Sequence, residues 1–151
     1  MKITKKGEYA LKALLALTFV HGECTLSLKK ISKKEKAPYK FLEQIMTLLK
    51  KAGFVQSVQG KYGGYSLARS PEKITLGEVI RAIEGPIAPF GGAKEIKKKI
   101  QAEEHHPGLY VTLLEVRDAI SEILDKKTLT DICTKSLELT GSKSSYQMYH
   151  I

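Results

Sequence analysis

The sequence predicts a mostly α-helical protein with a small β-wing, arranged as a winged helix-turn-helix domain plus a long dimerisation helix. Three observations predict it. Pro38–Leu67 joins an amphipathic run at helical spacing to two short β-prone runs around a glycine-rich turn. A second short helical run, Leu28–Lys34, precedes it across a lysine-rich turn ending at Ala37, the spacing of a helix-turn-helix. Further on, Leu109, Leu113, Val116, Ile120 and Ile123 recur at heptad steps, which suit a partner helix.

Each element has a local reason. Thr4–Val20 reads as the first helix, with Tyr9, Leu11, Ala13, Leu14, Leu17 and Val20 as its buried stripe. Lys2, Lys5 and Lys6 gather at its start, where cations oppose the helix dipole, so they are either placed for phosphates or merely solvated. His21–Cys24 reads as a loop, and Ser27 caps the second helix, with Leu28 and Ile31 inward. Pro38 opens the third helix through its fixed φ. Phe41, Leu42, Ile45, Leu48 and Leu49 form its apolar face, and Lys40, Glu43, Gln44, Thr47 and Lys51 the opposite one. Gly53 ends it. The strands are Phe54–Val58 and Tyr65–Leu67, around the turn Gln59–Gly64. Thr75 and Glu78 make a capping box for a fourth helix with Leu76, Val79, Ile80 and Ile83 inward, and Gly85-Pro86 closes the domain, residues 1–85.

Residues 86–108 read as a mobile connection and sensing segment, broken by proline and glycine at both ends with a loose charged helix, Lys94–Glu104, between. Leu109–Leu124 is the seam helix. It either pairs with a second copy or folds back on the first helix, and two-fold pairing is favoured because it also doubles the DNA half-sites. Thr128 caps a last helix to Leu139 with Leu129, Ile132, Cys133 and Leu137 inward. The dimerisation helices therefore span 109–139, and 140–151 is a frayed polar tail.

Composition narrows the partners. The chain has 151 residues, 42% of them hydrophobic, as in an ordinary globular protein. No run is long and apolar enough for a membrane span, and the start shows no secretory signal pattern. Two distant cysteines, Cys24 and Cys133, exclude a disulfide framework and a CxxC motif and fit the cytoplasm. The net charge of +9 is unevenly spread: residues 1–69 carry 14 Lys and Arg against 4 Asp and Glu, and residues 70–151 carry 11 against 12. The excess sits with the helix-turn-helix, which favours a nucleic-acid partner over a membrane.

The expected contacts divide by role. Tyr39, Lys40, Glu43 and Gln44 are placed for base edges: lysine to guanine, glutamine to adenine, glutamate to cytosine. Lys2, Lys5, Lys6, Lys50 and Lys61 are placed for phosphates, with Pro38 and Gln59 beside them at the helix start and wing. The arginines are Arg69, Arg81 and Arg117, none within Pro38–Leu67. The bidentate arginine–guanine fork is thus missing from the reader, and affinity should rest on phosphates with modest base discrimination. No catalytic constellation appears, so no enzyme is expected. The glycine-rich turn lacks the Lys-Ser/Thr and following helix of a P-loop. His105-His106 is a weak metal candidate, and both cysteines are expected as buried structural thiols.

The chain resembles the Rrf-two family of bacterial transcription regulators. Met1–Ala10, Tyr39–Gln44, Gly63–Leu67, Ile74–Ile80 and Thr128–Ile132 carry the resemblance, in order, over most of residues 1–135. It implies a homodimer that binds a partly palindromic DNA operator, usually to repress. Members with an iron–sulfur cluster hold it by three cysteines in the segment matching Pro86–Gly108, where this chain has none, so no cofactor is expected. Many members carry arginine where this chain has Gln59. An effector, either a protein or a small molecule, is implied without being identified. The alternative functions are a protein–protein interaction module or a regulator controlled by a partner enzyme of cysteine metabolism.

Overall fold

A computed structural model describes residues 2–102 and 105–141. Its helices are α1 (Lys5–Phe19), α2 (Leu28–Glu35), α3 (Tyr39–Lys51), α4 (Leu76–Glu84), α5 (Ala93–Gln101), α6 (Pro107–Lys126) and α7 (Leu129–Thr140). Strands β1 (Val55–Val58) and β2 (Gly64–Leu67) form an antiparallel hairpin with Val55 opposite Leu67 and Val58 opposite Gly64.

Side-chain caps set most helix starts. Thr4, Ser27, Thr75 and Thr128 each accept from an amide one turn on, with full capping boxes at Thr75–Glu78 and Thr128–Asp131. The core lies between α1, α2, α3, the hairpin and α4, and Leu14, Leu17, Leu26, Ile31, Leu42, Ile45, Met46, Leu49 and Ile74 are fully buried in it.

The apolar face of α3 differs from the expected one. Met46 is buried, whereas Leu48 is 41% exposed and Phe41 half-buried. At about 100° per residue, Leu42, Ile45, Met46 and Leu49 cluster on one line, and Phe41 and Leu48 fall on its flank. Pro38 stands at the cap rather than inside the first turn. Gly53, at φ +81°, ends the helix as expected.

The segment 86–108 contains α5, which lies against α6 and buries Ile96. Its helix stops at Gln101, short of the expected Glu104; Glu103 and Glu104 lie outside the described residues. Backbone and side chains also bind α6 to the first part of the chain. The Leu76 amide donates to the Lys127 carbonyl at 2.7 Å and the Leu129 amide to the Ile74 carbonyl at 3.0 Å. Arg81 forks onto Asp125 at 2.6 and 2.9 Å. From there α7 packs back on α1, burying Leu129 and Cys133. Ile132 and Leu137 are half-buried. Of the expected frayed tail, residues 142–151 lie outside the described residues.

Candidate nucleic-acid interface

The turn between α2 and α3 is tight. Lys36 takes a left-handed φ of +52°, and the Ala37 amide donates to the Ser32 carbonyl at 3.0 Å. The Ser32 hydroxyl donates to the Ala37 carbonyl at 2.6 Å. The turn therefore fixes where α3 begins. No side chain caps α3 and no acidic residue lies in its first turn. Pro38, Tyr39 and Lys40 at that start are exposed, and the positive end of the helix dipole there suits an anion.

Tyr39, Lys40, Glu43 and Gln44 are all exposed on the first half of α3, Tyr39 by 49%. The structure brings these four together on one surface. Lys5 is linked to the same helix through Tyr9 and Phe41. Its ammonium and that of Lys12 each stand 5.9 Å from the Tyr9 ring centre, and Tyr9 meets Phe41 edge-on at 5.9 Å. Glu8 takes both ammonium groups, Lys12 at 2.9 Å and Lys5 at 3.0 Å. Those pairs hold the Glu8 carboxyl below its usual range and push Lys5 up.

Other expected phosphate residues are placed elsewhere. Lys2 borders two hollows, one with Glu84, Gly85 and Pro86 at the far end of α4 and one with Lys5 and Glu8 at the start of α1, and Lys6 adds to the Thr4 hydroxyl bond in holding the Glu84 carboxyl below its usual range. Lys50 lies in the last turn of α3 and donates to the Ser57 hydroxyl at 2.9 Å, joining the helix to the hairpin. It lies about 15 Å along the helix from Lys40 at the usual rise. Pro38 is exposed at the start of α3. Gln59 and Lys61 sit exposed at the hairpin tip.

The hairpin is fastened to the entry of α2. Leu26 and Tyr65 exchange amide–carbonyl bonds at 3.0 and 2.8 Å, and the Thr25 hydroxyl donates to the Tyr62 carbonyl at 2.8 Å. Glycine is required where these strands meet, because a Cβ at Gly64 would fall 2.6 Å from the Leu26 carbonyl oxygen.

Sequence reasoning missed two sets of residues here. Lys29, Lys33 and Lys36 are exposed around α2 and its turn, adding positive charge beside α3. The available signal is the same charge excess of residues 1–69. The second is Tyr62, 83% exposed at the hairpin tip. An aromatic residue within a glycine-rich turn was the available signal for it.

On α6 the expected seam is split. Leu109, Val116 and Ile123 are 54%, 40% and 60% exposed, whereas Leu113 and Ile120 are half-buried toward the body of the chain. Cys24 is exposed, against the expectation of burial; it lies in the turn after α1, off that helix's buried stripe. Cys133 is buried, and loss of water pushes its thiol up to about 12.

Residues 3–135 match the Rrf2 family model, described as an iron-dependent transcriptional regulator. The HTH-type transcriptional regulator CymR of Bacillus subtilis is 37% identical over 149 residues, 99% of each chain. The structure of that protein, described as the global cysteine regulator, superposes with a TM-score of 0.77 over 89% of this chain and 98% of its own. The T. potens IscR structure gives a TM-score of 0.71 at 32% identity, over 99% of this chain and 97% of its own. The donor set does not fit a thiolate-held iron cluster. The chain's two cysteines lie apart, one in the exposed loop after α1 and one buried on α7, and among the described residues no three His, Cys, Asp or Glu side chains gather as a metal site. His105 and His106 are exposed, and among the described residues they belong to no such group.

Proposed function

The chain belongs to the Rrf2 family of DNA-binding transcription regulators, and we propose that it acts as a homodimeric repressor carrying no iron–sulfur cluster. One observation carries the DNA-reading surface. Tyr39, Lys40, Glu43 and Gln44 share the exposed, uncapped start of α3, beside a hairpin fastened to α2. Helix residues at that position reach base edges in the major groove. Residues 1–85 form the reader in this account, and 86–108 joins it to the pairing helix. The exposed strip Leu109, Val116 and Ile123 favours a second copy of the chain, since an apolar strip on a helix is costly to leave in water. No helix among the described residues is long and apolar enough to cross a membrane.

A duplex selected by the protein from a random pool tests this reading. At low salt it should bind tightly as a palindromic site with two protomers per duplex, and sedimentation should give a dimer that Val116→Glu converts to monomer. Absence of binding at low salt would overturn the reading, and a wild-type monomer would overturn its dimeric part. The likeness to a cysteine regulator runs the whole chain rather than the DNA-binding half alone. That favours cysteine supply as the signal, sensed through a small molecule or through a partner enzyme. Reporter expression from the selected site should then differ between cells starved of cysteine and cells fed with it.

A further inference from the structure

The end of α1, the short turn Pro71–Lys73 and α7 border a hollow of about 350 Å³. It spans two parts of the chain, since α1 belongs to the core of residues 1–85 and α7 follows the pairing helix. Half-buried Phe19 and Leu137 and buried Cys133 give it an apolar lining. His21 and Glu72 stand exposed on it, and neither side chain has a hydrogen-bond or ion-pair partner among the described residues. The last turn of α1 holds no basic residue, so the negative end of that helix dipole adds to the Glu72 carboxylate. Thr130, also on the wall, has its hydroxyl oxygen buried and without a hydrogen-bond partner among the described residues. An orphaned polar atom is costly, and threonine in a helix divides between two χ1 rotamers. Rotation about χ1 toward a bound acceptor would remove that cost.

Opposite chemistries on one small hollow select a ligand that carries both. Glu72 attracts an ammonium group, and the His21 imidazole can donate to a carboxylate. A volume of about 350 Å³ admits a small molecule and no folded partner. The apolar lining suits a short side chain, and the Phe19 ring suits sulfur within it. We propose that the hollow binds a small sulfur-bearing α-amino acid, with its ammonium at Glu72 and its carboxylate at His21. This gives the small-molecule signal of the proposed function a site, and it rests on that reading for the choice of sulfur. A bound molecule touches α1 and α7 at once, so it favours the arrangement in which α7 is docked. The same joint sets how residues 1–85 stand against the pairing helix. Beside it in sequence on both strands of the contact, the Leu129 amide donates to the Ile74 carbonyl at 3.0 Å.

The test uses the full chain with L-cysteine as the probe, under a phosphine reductant, read by isothermal titration calorimetry. Wild-type protein should bind one molecule per chain. Cysteamine, which lacks the carboxylate, and 3-mercaptopropionate, which lacks the ammonium, should each bind about tenfold more weakly. Glu72→Gln should lose about tenfold for L-cysteine and nothing for 3-mercaptopropionate. His21→Ala should do the converse, losing affinity for L-cysteine and none for cysteamine. Both residues are exposed, so Tm should hold in each variant. Absence of saturable L-cysteine binding at millimolar concentration overturns the inference, as does equal binding of L-cysteine by wild type and both variants. If the site binds as stated while affinity for the selected duplex is the same with and without L-cysteine, the site stands and the signalling reading fails.

Discussion

The Glu84 carboxylate closes the start of α1: one of its oxygens accepts from both the amide and the hydroxyl of Thr4, at 2.9 and 2.6 Å. The same Thr4 hydroxyl accepts from the Gly7 amide at 3.2 Å, so a residue from the end of α4 completes the cap of the first helix. The carboxylate also stands where a Cβ at position 7 would go, so a larger residue there would displace it from the cap.

The Thr4 hydroxyl holds the Glu84 carboxyl below its usual range, and the Arg81 guanidinium does the same for Asp125. A carboxyl depressed in the folded state contributes stability that is present above its unfolded value and is lost as pH falls through the folded one. Urea midpoints should therefore hold from pH 7 to about 4.5 and fall below that. Glu84→Gln keeps the shape and an acceptor, and its midpoint should decline less steeply over the acid range. An identical acid profile for the two proteins would show that the cap carries no linkage.

Gly64→Ala tests the fastening of the hairpin. The added Cβ would meet the Leu26 carbonyl oxygen, which is backbone and cannot swing away. The Leu26–Tyr65 bonds should break and the hairpin should part from the start of α2. A loss of about 1–3 kcal/mol is expected, read as a fall of roughly 2–4 °C in Tm per kcal/mol for a chain of this size. DNA affinity should fall further than stability, because the hairpin tip loses its mount. Retention of both would show that the bridge is dispensable.

Helix starts were legible wherever capping is local. Ser27, Thr75 with Glu78, and Thr128 announce themselves within four residues. The hairpin was legible from its glycines and part of the α1 core from its period: Ala13, Leu14, Leu17 and Val20 are buried as expected, Tyr9 and Leu11 only half so, and Ala10 and Ala16 are buried beside them. The inner face of α3 was less so, since Met46 and Leu48 are both apolar and only the neighbouring helices decide between them. Contacts across long sequence separations left no local trace: Arg81 with Asp125, or Glu84 with Thr4. The candidate base-reading residues shared one helix face and were legible together. Lys6 was not separable from Lys5 by pattern, and only folding sets it beside Glu84 at the end of α4 while Lys5 stays by Phe41 through Tyr9.

The two thiols should differ sharply in reactivity. Burial raises Cys133 to about 12, so at pH 8 only about one molecule in ten thousand carries the thiolate there. Its Sγ also lies 3.8 Å from the Leu15 carbonyl, inside the α1–α7 contact. Cys24 is exposed. Iodoacetamide at pH 8 should alkylate Cys24 in the native protein and reach Cys133 only after denaturation, as read by peptide mass spectrometry. Equal labelling of both in native protein would mean that α7 does not stay docked on α1.

The division between reading and gripping gives the sharpest contrast among variants. Lys40 and Glu43 are exposed at the uncapped end of α3, and the proposed reading has their heads meet base edges. Lys40→Ala and Glu43→Ala should each cost about 1–3 kcal/mol on the selected duplex and little on a scrambled one. Lys61 has no carboxylate partner among the described residues, and Lys61→Ala should weaken both duplexes alike and reduce the salt slope by roughly one phosphate contact, about 0.9 in log–log terms. Lys5 already answers Glu8 at 3.0 Å, so part of its charge is spent within the protein and Lys5→Ala should change the slope less than Lys61→Ala. Affinity measured on both duplexes from low to moderate salt separates these outcomes. If Lys40→Ala and Glu43→Ala weaken both duplexes equally, the start of α3 grips the backbone and the bases are read elsewhere.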